Sequence, residues 1–166
     1  MKRVIYSLYV DVPAEEHYGY SQIKFDSTKK ANITINAFKK HYKKLIDCKR
    51  HYANKIGADF IMFDYDSKYK TFEKNFKSDF PEFTGYEIIN FYKIHLLYEL
   101  AKKYDEILYL DFDAVPLTDE SFFEVWDLSK GICVYNNNYH VKKDYGVIQG
   151  IRSPTAKYFN LSLIHI

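Results

Sequence analysis

Two aspartates one residue apart, Asp111 and Asp113, follow the apolar run Ile107-Leu108-Tyr109-Leu110 and precede Ala114-Val115-Pro116. The run is short and rich in β-formers, so it reads as a buried strand that Pro116 closes. Along a strand, residues i and i+2 point to the same side. Two carboxylates on one side of a strand end can bind one divalent cation, directly or through water. Oxygen ligands with open positions suit Mg²⁺ or Mn²⁺, which complete their shells with substrate oxygens, typically phosphates. Such an ion would neutralise charge developing on a phosphate leaving group. The plain alternative is a pair of solvated aspartates, one capping a turn. The apolar run, the proline and the strand's C-terminal edge, where open α/β sheets bind ligands, favour the metal site.

Other candidates are fewer. Asp64 and Asp66 repeat the spacing after Phe60-Ile61-Met62-Phe63, but lead into a lysine-rich stretch and read mainly as loop solvation. Lys93 flanks an apolar helical stripe, and its ammonium could reach a diphosphate if that helix lies over the sheet edge. Tyr9 and Asp11 follow the first strand and could touch a base or ribose, or be ordinary strand-end surface. The six histidines show no ligand spacing, and His140 alone falls near an expected strand end. No G-x-G-x-x-G follows a strand and no phosphate-binding P-loop occurs, which disfavours dinucleotide and P-loop readings. The lysines and aromatics of 67–83 could stack on bases or sugars, and more simply form a partly packed loop.

The elements that must position these residues alternate. Val4–Val12 reads as the first strand, closed by Pro13. From Asn32 an apolar stripe (Ile35, Phe38, Tyr42, Leu45, Ile46, Tyr52, Ile56) marks a helix with Gly57 as its C-cap. Phe60–Phe63 is a second strand, and 67–83 a long loop with one helical turn. Thr84-Gly85-Tyr86-Glu87 has capping-box spacing, opening a helix that runs to about Tyr104. The central strand follows. Thr118–Leu128 predicts a short helix, Gly131–Tyr135 and Tyr145–Ile151 further strands, and Ser153-Pro154 the start of a final helix. The pattern predicts an α/β fold of one domain over 1–166, with a mainly parallel sheet flanked by helices.

Composition bounds the function. At 47% hydrophobic and 19% aromatic, the chain can build a core. A net charge of +2 argues against a dedicated nucleic-acid binder. Cys48 and Cys133 form no CxxC, so a zinc site or disulfide framework is not expected. With neither a signal-peptide pattern nor a membrane-length apolar run, a cytoplasmic protein is expected.

Taken together, strand, helix, strand, a helix carrying Lys93, then ILYLDFDAVPL resembles the nucleotide-sugar-binding half of a GT-A glycosyltransferase. The glycogenin and lipopolysaccharide galactosyltransferase-like group is the nearest in pattern. There, a helix with Arg or Lys precedes a strand reading "vlYLDxD". Tyr145-Gly146-Val147-Ile148 is similar to that group's "N-x-G-v", with Asp144 in place of the asparagine. The resemblance implies a Rossmann-like GT-A fold that takes a nucleotide-sugar donor, a UDP-sugar first, and a glycan, lipid or protein acceptor. Asp113 would chelate Mn²⁺ (or Mg²⁺) bridging the diphosphate, and Asp111 would contact the metal or the ribose and sugar. Phe112 lies between them in the donor-binding set. Lys93 would steady the phosphates or sugar, and Ser7, Leu8 and Tyr9 would line the base pocket. Family members continue well past this point with a late histidine ligand, acceptor contacts and, in inverting enzymes, the catalytic base. The resemblance therefore implies a C-terminally truncated domain whose catalytic residue is not identified, and His165 is not assigned the histidine's role.

Two other classes compete. LYLDFDAV loosely matches the DxDx(T/V) of haloacid-dehalogenase phosphatases, with Asp111 as nucleophile and Asp113 as acid/base. That motif belongs on a first strand, and too little chain follows it here. The second alternative is a non-catalytic domain that only binds a sugar nucleotide or a partner.

Overall fold

The computed structural model describes residues 1–11, 27–125, 133–136 and 159–165. Nine elements follow in order: β1 (Arg3–Leu8), α1 (Ser27–Lys55), β2 (Asp59–Phe63), α2 (Ser67–Asp79), α3 (Gly85–Ala101), β3 (Glu106–Tyr109), α4 (Phe122–Val125), β4 (Cys133–Asn136) and β5 (Phe159–His165). The sheet order is β2-β1-β3-β5-β4. β1 pairs in parallel with β2 and β3, and β5 is antiparallel to both β3 and β4. The α/β class with a parallel core is therefore present, extended by β5, which runs the opposite way, and by β4, which runs antiparallel to β5.

The apolar pattern of β1 and β3 explains the layers. Val4, Tyr6 and Leu8 join Ile107 and Tyr109 in one buried cluster with Tyr69 of α2 and Tyr92, Leu96, Leu97 and Leu100 of α3. The alternate residues Ile5, Leu108 and Leu110 form a second cluster with Tyr52 and Ala53 of α1 and with Phe123. Helices cover both faces, as a continuous apolar strand requires. Each fully buried Ile or Leu contributes about 1.5–3 kcal/mol relative to exposure.

The connections fix where a ligand site can lie. From β1 the chain crosses one face through α1 to β2, then returns through α2 and α3 on the other face to β3, on the far side of β1. The direction of strand addition thus reverses between β1 and β3. In open α/β sheets that switch point, at the C-terminal strand ends, is where the connecting segments diverge and leave a crevice.

Local signals behave as expected at several places. Gly57 has φ +70, the left-handed geometry of a helix C-cap. Thr84 and Glu87 form a reciprocal capping box at the start of α3. Three expectations are corrected. Residues 67–79 form a helix where a loop was expected: Asp66 caps it through Tyr69 N, and Tyr69, Phe72 and Phe76 fall at helical spacing. Their rings meet Tyr92 and Phe91 of α3 at 4.9–5.1 Å. Residues 159–165 form a strand, not the expected final helix. Phe159, Leu161 and Leu163 alternate with Asn160 and Ser162 in a strand period, and the segment pairs with β4 and β3. The helix expected over 118–128 is confined to Phe122–Val125 within the described residues. The strand expected at 145–151, Asp144 and His140 lie outside them. No helix among the described residues is long and apolar enough to cross a membrane.

Candidate functional site

β1 and β3 run side by side to the switch point, with Tyr6 opposite Tyr109. Leu110 N donates to Tyr6 O at 3.0 Å, carrying the pairing one residue beyond β3. Ser7 Oγ then donates to Leu110 O at 2.7 Å. Past this lock the chain turns, and Ala114 N donates to Asp111 O at 3.0 Å. Asp111 and Asp113 therefore sit in a turn. Strand alternation, the reason for expecting both carboxylates on one side, does not apply because the strand ends at Tyr109.

Phe112 anchors the turn. It is buried and stacks on Tyr9 at 4.6 Å, with Phe38 and Tyr42 of α1 at 5.4 and 5.3 Å. Because Tyr9 follows β1 and Phe112 follows β3, this stack closes the floor of the switch point. Lys49, also on α1, is 1% exposed. Its Nζ donates to Phe112 O at 2.6 Å and to Leu45 O at 3.2 Å. Burial lowers its pKa, while the negative charges of Asp113 and Asp111 act in the opposite direction.

Asp111 is held on the other side. Its Oδ1 accepts from Lys93 Nζ at 2.9 Å and from Tyr109 Oη at 2.6 Å. Lys93 and Asp111 are only 14% and 25% exposed. Tyr6 Oη donates to Lys93 O at 2.8 Å, which ties α3 to β1 at the same point. Burial first, then the Asp111 charge, pushes the hydroxyls of Tyr109 and Tyr6 well above the ordinary tyrosine range. Both are therefore neutral donors. Asp113, in contrast, is exposed.

Each expected residue can now be located. Lys93, Asp111, Phe112 and Asp113 come together, as do Ser7 and Tyr9 through their contacts with Leu110 and Phe112. Ser7 and Leu8 are buried at 0% and 4% exposure. Their side chains belong to the core. Tyr9 packs its ring among aromatics, and its buried hydroxyl has no hydrogen-bond partner among the described residues. Lys93 is engaged with Asp111, and its bond orients that carboxylate. The remaining acids have structural partners: Asp64 accepts from Tyr42 Oη at 2.5 Å, Asp66 caps α2, and Asp11 pairs with Lys39 at 2.7 Å. Residue-by-residue reading missed Lys49 and the Phe38–Tyr42 clamp. Lys49 carried a signal: it falls between Leu45 and Tyr52 in the apolar stripe of α1, where a lysine is out of place.

Carboxylate oxygens are the donor type that hard cations take. Among the described residues no three His, Cys, Asp or Glu gather as metal ligands. Two carboxylates are what Mg²⁺-type ions use when substrate phosphates supply further oxygens. Comparison with known proteins returned no match to a family model, a curated protein or a solved structure.

Proposed function

We propose that this chain is a nucleotide-sugar-binding domain of a metal-dependent glycosyltransferase with a GT-A-type Rossmann-like fold. One observation carries the reading: the Asp111-Phe112-Asp113 turn lies at the switch point of a parallel sheet, with Lys93 bonded to its first carboxylate. Asp113 would hold a divalent ion, with Asp111 beside it, toward the donor diphosphate. When bound, the ion supplies charge neutralisation for the departing nucleoside diphosphate. Lys93 and Tyr109 orient Asp111. The backbone after β1 offers hydrogen-bonding groups to the nucleotide. Mn²⁺ or Mg²⁺ is the expected ion and a UDP-sugar the expected donor.

Calorimetry with UDP and UDP-sugars, in Mn²⁺ and in EDTA, tests the reading. Binding should require the metal. Asp113→Asn should weaken it by about tenfold or more, since even outer-sphere changes cost that much. Unchanged metal-dependent binding in D113N would sink the site assignment. Binding without transfer or donor hydrolysis would identify a binding module, and turnover of a simple phosphate ester without a sugar nucleotide would identify a phosphatase.

A further inference from the structure

Lys49 occupies a position that ordinary packing would fill with an apolar side chain. Burying an ammonium costs free energy unless its donors are satisfied and its charge is offset. A methionine at this point of the α1 stripe would carry no such cost. The lysine's bonds go to the carbonyl oxygens of Leu45, one turn back, and of Phe112, between the two aspartates. Its Nζ also lies 5.6 Å from the Phe112 ring centroid. Both aspartate charges act on the ammonium. α1 therefore holds the central residue of the turn by its ring and its carbonyl, while α3 holds Asp111 through Lys93.

Resting on the glycosyltransferase reading, we infer that Lys49 is a positioning residue. Its ammonium, bonded to Phe112 O, fixes the turn so that Asp113 meets a metal-bound diphosphate in one orientation. Lys49 itself touches neither metal nor nucleotide. A backbone carbonyl held from below cannot rotate without breaking that bond, and Asp113 is the next residue along.

The test is UDP binding by the full chain in Mn²⁺ and in EDTA, for wild type, Lys49→Met, Asp113→Asn and the double variant. K49M should weaken Mn²⁺-dependent UDP binding by about tenfold, the size of an outer-sphere loss. It should leave any metal-independent binding unchanged and add nothing in the D113N background. A general folding defect would weaken binding in every background, and the cycle separates the two. Tyr52→Phe, on the same helix as Lys49, is the control: it removes a hydroxyl that donates to Glu120 O and should lower stability without changing binding. If K49M loses its thermal transition, Lys49→Gln, which keeps an N–H donor, is measured instead. Loss of folding in both makes Lys49 a residue of the fold and overturns the inference. Wild type that binds no Mn²⁺·UDP removes the functional reading, and the inference with it. Wild type that binds while a folded K49M binds equally well removes only the inference.

Discussion

Tyr109 donates to Asp111 from a fully buried position, and Tyr6, equally buried, donates to the backbone of Lys93. Both hydroxyls hold their protons in the fold well above the ordinary value of 10.0, because burial and the Asp111 charge oppose a phenolate. In the unfolded chain they ionise at that ordinary value. Above it the folded state binds more protons than the unfolded state, so stability falls as pH rises. The contribution is fully present below the unfolded value and is lost progressively above it. Urea midpoints should therefore decline between about pH 9 and 11, and Tyr109→Phe should decline less steeply. A wild-type midpoint that stays flat across that interval would contradict the assignment. At neutral pH, Y109F should also cost about 1.5–3 kcal/mol, the range for a hydrogen bond to a charged group.

At the scale of elements, the helices divide their work. α1 gives Tyr52 and Ala53 to the core and Phe38, Tyr42 and Lys49 to the turn. α3 gives Leu96, Leu97 and Leu100 to the core and Lys93 to Asp111. α2 packs against α3 through Tyr69, Phe72 and Phe76, and Asp66 caps its first turn. Asp66→Ala should cost about 0.5–2 kcal/mol, the usual loss of an N-cap, read as a lower urea midpoint with nucleotide binding unaffected. A binding defect in D66A would instead draw the Asp64–Asp66 pair into the site. What was legible here depended on how local the signal was. The Thr84–Glu87 box and Gly57 are specified by their own neighbours and could be read directly. α2 was harder, because lysines between its aromatics obscure the period and its partner surface, Tyr92 and Phe91, is distant in sequence. β5 was harder still: it pairs with β4 and with β3, the latter a contact spanning more than fifty residues, from Leu108 to His165.

At the scale of the whole molecule, the reversal of strand addition between β1 and β3 makes the site. The two acids were legible as residue types after an apolar run, but their geometry was not. Only the sheet order brings Tyr9 onto Phe112, and only the packing of α1 brings Lys49 beneath it. This arrangement predicts how ligand binding should couple to unfolding. The turn joins α1, α3, β1 and β3, so a ligand that binds there binds the folded chain alone. With UDP and Mn²⁺ at a hundred times Kd, the stability gain should be about 2.7 kcal/mol. D113N, weakened about tenfold, should keep only about 1.4 kcal/mol of that gain at the same ligand concentrations, and less the more its binding is weakened. D66A should start from a lower midpoint and still show the full gain, because its lost cap lies outside the turn. A wild-type transition that does not move with Mn²⁺·UDP, or a D113N transition that moves as far as wild type, would place nucleotide binding elsewhere on the molecule.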